Sequence, residues 1–378
     1  MGMNGSMRQR STGSWELRVF TGTDPATGRR CYRSKTVRGN RAEAERELAA
    51  MADSAGRVPT LGARTTVGEL LERWYALASP GWAPTTVRQT RSVLNRQLLP
   101  HLGAVMVGDL TTADIDTLYA SLRANGSIAG QPLATGTIKR VHVVLRSALA
   151  QAMRWGWIWD NPAERAHRIP SVSREPDPPT PAEVDTLLGH LHTTNTALYT
   201  FVVLAATTGA RRAQLLGLRW RNVNLTDGQV AFTNGWVEGP CGPVLTDTKT
   251  KRRHTVELDA ATTEILADHA RRITAIVGSL DRDGFVFTND GRGVQAWKPN
   301  WVTKTFQRAV RGAGLRPFRL HDLRHFMATE MLHAGVPIPI VSRRLDHRRI
   351  STTLDFYAHA TSSGDRFAAE TLRCKLKR

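Results

Sequence analysis

At 378 residues the chain is too long for one ordinary core, so two or three domains are expected. Its 52 Lys and Arg against 33 Asp and Glu leave a net charge of +19 and a pI near 10.9, which favours a polyanionic partner through Coulomb attraction and release of condensed counterions. The basic residues are spread along the chain rather than gathered in one membrane-surface helix, and no apolar run is long enough to span a bilayer, so nucleic acid is the leading partner.

Cys31, Cys241 and Cys374 lie far apart with no CxxC pair, which argues against zinc fingers and a disulfide framework. The N-terminus has no apolar signal core, and the expected location is the cytoplasm. "MGMNGS" matches the myristoylation pattern formally; without a second membrane signal it is read as chance.

In chain order, residues 14–38 alternate as two strands around a "TDPATG" turn, and "NRAEAERELAAM" reads as a helix capped by Asn40. Up to Arg64 there are twelve Lys and Arg against six Asp and Glu, and a small sheet carrying Arg29, Arg30, Arg33 and Lys35 would suit a groove reader. A solvated charged face explains the same residues. From Thr65 the pattern turns helical: "TVGELLERWYALA", then "PTTVRQTRSVLNRQLLPHLG" stopping at Pro100 and Gly103, then two more helices, the last ending near Gly156. Arg88, Arg91, Arg96, Lys139, Arg140 and Arg146 can follow a DNA backbone, whereas Trp155, Trp157 and Trp159, at a helix end, are expected to pack in the core rather than stack on bases. "PSVSREPDPPTPAEV", with five prolines, is the linker candidate. The expected domains are 1–63, 64–172 and 181–378, with a linker at 173–180.

The last domain opens with an apolar helix running to a Thr208–Gly209 turn. Arg211 then starts the next helical segment, close to helical N–H groups that favour an anion. "TKTKRR" lies at or near a turn between strand-like stretches and can carry Lys249 toward a ligand. In "HDLRHFMATEMLHAG", Leu323, Phe326, Met327 and Ala334 share one side of a helix, and His321, Arg324 and His325 share the other. A zinc-protease helix would have Glu after its first histidine and no arginine beside its ligands. Arg beside His suits a phosphate instead. His347 and then Tyr357 follow in "RRLDHRRISTTLDFYAHA"; a tyrosine hydroxyl with its ordinary pKa near ~10 needs a base or nearby cations to act as a nucleophile.

With "TGARR", "TKTKRRHTV", "HDLRHFMAT" and "LDHRRISTTLDFYAH", the chain resembles the tyrosine recombinases of the phage integrase family. The resemblance implies a multidomain α+β protein. Its parts would be an arm-type N-terminal sheet with a helix, an all-helical core-binding domain, and a mainly helical catalytic domain with a small sheet. Carried over residue by residue, it implies Arg211 and Arg324 as the arginine pair, Lys249 as a hairpin lysine, His321 and His347 as the histidines, and Tyr357 as nucleophile. No metal or other cofactor is implied. Tyr357 would form a 3′-phosphotyrosyl bond and release a 5′-hydroxyl, so that strands can be exchanged between duplexes. The implied partners are double-stranded DNA at core and arm sites, three further copies of the chain in a tetramer on DNA, and an accessory bending or directionality factor. A cut-and-reseal topoisomerase is the alternative enzyme; a non-enzymatic DNA-binding protein would leave the ordered set unexplained. Two positions depart from the family pattern: Gln214 where Glu is common, and Asp346 where Gly is common before the histidine. Neither removes a catalytic group, so both bear on rate rather than reaction type.

Overall fold

A computed structural model describes residues 5–23, 30–56, 65–127, 130–170, 177–247, 254–347 and 349–357; the side chains of 21–23, 30, 31, 33, 53–56, 352 and 355–357 are also outside the described part. The chain divides into two compact units, residues 1–81 with 90–172, and residues 82–89 with 173–378. No helix among the described residues is long and apolar enough to cross a membrane.

The first unit begins with an antiparallel sheet of β1 (Gly5–Ser11), β2 (Ser14–Thr23) and β3 (Arg30–Arg38), in that order, followed by α1 (Arg41–Gly56). Asn40 caps α1 as expected: its side-chain oxygen accepts from the Glu43 N–H at 2.9 Å, and Glu43 accepts from the Asn40 N–H at 2.9 Å. Leu17 and Val19 alternate inward against Ala44, Leu48 and Met51. The alternation pattern gives no sign of β1, because "GSMRQRS" offers it only Met7; backbone pairing to β2 holds this edge strand.

Of the four basic residues expected on this sheet, only Lys35 has a described side chain. Lys35 stands opposite Leu17 and pairs with Glu47 of α1, which puts it on the helix-covered side. Arg29, with the side chains of Arg30 and Arg33, lies outside the described residues. Arg18, not singled out from the sequence, lies over the Tyr32 ring at 4.2 Å from its centroid.

Six helices follow among the described residues, α2 (Val67–Ala78), α3 (Pro84–Val93), α4 (Leu99–Leu102), α5 (Thr112–Asn125), α6 (Thr135–Arg154) and α7 (Pro162–Arg165), all in this unit except residues 84–89 at the start of α3. Pro100 does not end its helix: a π turn at Leu94–Leu98 leads into α4, where Pro100 occupies a first-turn position that needs no N–H, and Gly103 is the stop. Arg91 is engaged within the fold, with Glu72 at 2.5 Å and the Tyr75 ring at 3.9 Å. Trp155 and Trp157 meet at 4.8 Å, half-buried at the end of α6 rather than in the core.

In the second unit the order is α8 (Pro181–Thr194), α9 (Thr196–Thr208), α10 (Arg212–Leu216), β4 (Val223–Asn224), β5 (Gln229–Phe232), β6 (Asn234–Gly239), β7 (Gly242–Asp247), β8 (His254–Glu257), α11 (Ala260–Val277), α12 (Pro299–Gly312), α13 (Asp322–His333), α14 (Ile338–Arg344) and α15 (Ile350–Tyr357). α9 is apolar nearly all round, and its Phe201, Val202 and Leu204 sit in the centre of a core with Leu215, Phe232, Phe287, Phe306 and Leu323. Burying such a side chain contributes about 1.5–3 kcal/mol, so α9 is a fixed base from which the next loop departs. Asp177 and Pro178 are held at the edge of this unit by Arg316, which donates to the Asp177 carboxylate at 2.7 Å and the Pro178 carbonyl at 2.9 Å. Residues 171–176 of the proline-rich stretch lie outside the described residues.

The strands flanking "TKTKRR" do not pair with each other. β7 pairs with β6 across the tight Gly239–Gly242 turn, while β8 pairs with β5 in a sheet ordered β4-β5-β8. The described strands on either side of residues 248–253 thus belong to different sheets, and Lys249 itself lies outside the described residues.

Candidate active site

Gly209 ends α9 in the left-handed conformation (φ 64°), its N–H bonded to the Ala205 carbonyl. The left-handed turn calls for glycine, and an added side chain would also have to push aside the flexible Met327 methyl group, 2.1 Å from its Cβ. Two residues later Arg211 is the extended residue before α10, its N–H bonded to the Gln214 side-chain oxygen at 2.9 Å. Gln214 is buried, and its Nε2 has no hydrogen-bond partner among the described residues.

Arg324 corrects the helical-wheel reading. It does not lie on the wet face of α13 but is buried, at 5 % exposure, with Leu323 and Met327. A buried guanidinium needs acceptors, and two helix ends supply them: Arg324 donates to the Gly209 carbonyl at 2.6 Å and to the Leu345 carbonyl, the caps of α9 and α14. Both are C-terminal ends, where unsatisfied carbonyls carry partial negative charge. Arg324 thus clamps the two loops that carry Arg211 and His347.

Beyond Leu345 the chain turns sharply. Asp346 has φ 51°, the one non-glycine residue at positive φ among the described residues, in the position where glycine is the less strained choice. The turn sends the Asp346 carboxylate to Arg211, with Oδ2 at 3.2 Å from Nη1. His347 follows, and its Nδ1 lies 2.9 Å from the hydroxyl of Thr353, a buried residue of α15. In the tautomer where the hydroxyl donates to Nδ1, Nε2 carries the proton and is the donor left for a ligand. Tyr357 is the last residue of α15, one turn beyond Thr353; its side chain and Lys249 lie outside the described residues.

The electrostatics are those of an anion site with neutral histidines. Burial first, then Arg324 and Arg211, hold His347 down to about 4, with Asp346 opposing them. His321 is held down to about 4 by desolvation, then by His325 and Arg324. Its surface is exposed, so water offsets part of that drop, but the imidazole is still neutral at pH 7. The rings of His321 and His325 meet edge-on at 5.1 Å. His254 on β8, within the field of Arg324, Arg211 and Asp346, is also shifted down, chiefly by burial. Of the six residues expected from the sequence, Arg211, Arg324 and His347 are brought together, and His321 borders them. Thr353, Asp346 and the two carbonyls that hold Arg324 were not assigned roles from the sequence.

A family model described as the phage integrase family matches residues 180–363, and a second, for the phage integrase N-terminal SAM-like domain, matches residues 66–123. Together they take in well over half of the chain. The chain belongs to the phage integrase family. By family it is a site-specific DNA recombinase of the tyrosine class, and the topoisomerase alternative is not favoured. An integrase of Streptomyces ambofaciens is 25% identical over 311 residues, spanning 77% of this chain and 76% of that protein. The ICEBs1 integrase of Bacillus subtilis (strain 168) is 21% identical over 379 residues, spanning 97% and 99%. Among solved structures, the Tn1549 transposon integrase in complex with transposon right end DNA matches with a TM-score of 0.68 at 18% identity, covering 82% of this chain and 100% of that one. At that identity the likeness is one of fold, and the fold is the multidomain α+β architecture of the tyrosine recombinases.

Proposed function

We propose that the integrase cleaves and rejoins DNA through a covalent bond between Tyr357 and a 3′-phosphate, to integrate or excise a mobile element. The observation that carries this reading is the convergence of Arg211, Arg324 and His347 where the α9 and α14 caps meet, with α15 leading from Thr353 to Tyr357. Attack by the tyrosine oxygen on the scissile phosphorus builds negative charge on the non-bridging oxygens. The guanidinium groups of Arg211 and Arg324 and the imidazole of His347 supply the donors that meet that charge. The bond between phosphorus and the 5′-oxygen breaks, and that oxygen takes a proton from Lys249, the assigned general acid. The phenol proton of Tyr357 passes to His321, neutral at pH 7 and acting as base, or to water while His321 positions the phosphate. The phosphotyrosyl linkage retains the energy of the broken bond, so a 5′-hydroxyl from a second duplex can displace Tyr357 and complete the exchange.

In this reading residues 1–63 bind arm sites, 64–172 bind the core site and 181–378 carry the chemistry. Exchange between two duplexes takes four strand cuts and each protomer has one Tyr357, so four protomers gather on two sites. Incubating the protein with two distinguishable duplexes, each carrying the sequence found at the edge of the element that encodes it, tests the reading. Joined products crossing from one duplex to the other are expected; resealing within each duplex alone would contradict recombination.

A further inference from the structure

We infer that Asp346 is a built-in counter-ion that holds the fork of Arg211 in the DNA-free protein and must yield it to the scissile phosphate. The inference rests on the phosphate-transfer reading above and adds a residue that sets how readily the phosphate is engaged.

The two arginines of the site are held in different ways. Arg324 is buried and donates to two main-chain carbonyls that belong to the scaffold. Arg211 is 42% exposed at its side chain, and among the described residues its guanidinium partners both come from Asp346: the carboxylate Oδ2 at 3.2 Å from Nη1, and the carbonyl oxygen at 3.4 Å from Nη2. A guanidinium that addresses one residue through two nitrogens has the geometry with which it would hold two phosphate oxygens. The Asp346 carboxylate is only 18% exposed, so water replaces little of this contact. Asp346 makes this contact from the turn after α14, with φ at 51° in a region that L-residues seldom occupy.

Charge counting shows the consequence. With neutral histidines, Arg211, Arg324 and Asp346 leave a single net positive charge, which balances the one negative charge of a phosphodiester. The pentavalent transition state carries more negative charge than the diester. It is better met when Asp346 has released Arg211 and both arginines face the phosphate. Free anions in solution, which bring no binding energy from elsewhere, have to compete with a carboxylate already in place. A phosphate delivered by DNA bound along the rest of the protein does not rely on that one contact. Asp346 therefore favours DNA-bound phosphate over stray anions.

Asp346→Asn is the informative change, because asparagine tolerates the left-handed conformation and removes the charge; Asp346→Gly, with no strain at that φ, replaces it if the first variant does not fold. The full-length protein is titrated with inorganic phosphate at constant ionic strength, following the thermal transition. The same proteins are then tested for covalent adduct on a nicked duplex carrying the element's edge sequence, at DNA concentrations below saturation. The variant is expected to bind phosphate about three- to fivefold more tightly than wild type, the size of a partly exposed ion pair, and to form adduct faster by a similar factor. Equal phosphate binding by wild type and variant would overturn the counter-ion role. Adduct formation lost in the variant despite normal folding would also overturn it, making Asp346 an orienting partner of Arg211. Tighter phosphate binding with no adduct from either protein would uphold the counter-ion and remove the recombinase reading instead.

Discussion

Arg324→Lys separates the structural from the chemical work of the buried arginine. Lysine keeps the positive charge but offers one ammonium in place of a fork, so it can reach the Gly209 carbonyl or the Leu345 carbonyl but cannot bridge them as the guanidinium does. A carbonyl left without its donor in a buried position costs about 1–3 kcal/mol. A loss of roughly 2 kcal/mol is therefore expected, within the 5–15 kcal/mol typical of a folded domain, so the unit stays folded. The α9 and α14 caps are no longer clamped, and Arg211 and His347 drift from a common target. Losing one preorganised donor to a developing oxyanion typically costs a factor of about 10²–10³. Urea unfolding and single-turnover adduct formation, measured on the same preparations, give the two effects. Wild-type stability together with an adduct rate within about threefold of wild type would refute the clamp, since so small a rate loss falls far below that expected for one donor.

Three further outcomes follow from the geometry. Thr353→Val preserves the buried shape but removes the hydroxyl beside His347; adduct formation should slow about five- to tenfold, the worth of one hydrogen bond, with a small change in stability, and an unchanged rate would show that Thr353 does not set the tautomer. His347 is held down to about 4 against an ordinary 6.5, so between those values an unfolded chain takes up a proton that the native state refuses, and stability should fall as pH drops from 6.5 toward 4; His347→Asn should flatten part of that slope in urea midpoints, and parallel slopes would sink the assignment. Removing residues 1–63 should spare cleavage of a core site while recombination of a full attachment site collapses and the salt dependence of binding becomes shallower; equal recombination by the shortened protein would rule out arm binding.

Much of this site was legible because its signals are local. Gly209 after an apolar run and Asn40 before its helix need only neighbouring residues to be read, while the roles of Arg211, Lys249, His321, Arg324, His347 and Tyr357 come with the family resemblance. What was not legible depends on contacts between distant segments. Helical spacing puts Arg324 on the polar face of α13, and the same spacing cannot know that two helix C-termini, at Gly209 and Leu345, converge there to accept a buried cation. Thr353 is one threonine among several, marked out only by its distance to His347. Strand alternation marks β7 and β8 but not their partners, and only the fold shows that these flanks of the Lys249 segment belong to separate sheets. Asp346 stood out as a departure from glycine, and its ion pair with a residue 135 positions away could come only from the fold.

The central claim is that Tyr357 is the nucleophile, and the most direct measurement is capture of its bond to DNA. A nicked core-site duplex whose short cleaved fragment diffuses away leaves the phosphotyrosyl protein on a denaturing gel. Wild type should give the shifted protein–DNA band without added magnesium and in the presence of a chelator. Tyr357→Phe removes one oxygen and keeps nearly all of the ring's apolar area, so DNA affinity should persist while the band disappears. A covalent band from Tyr357→Phe would place the nucleophile on another residue and contradict the account.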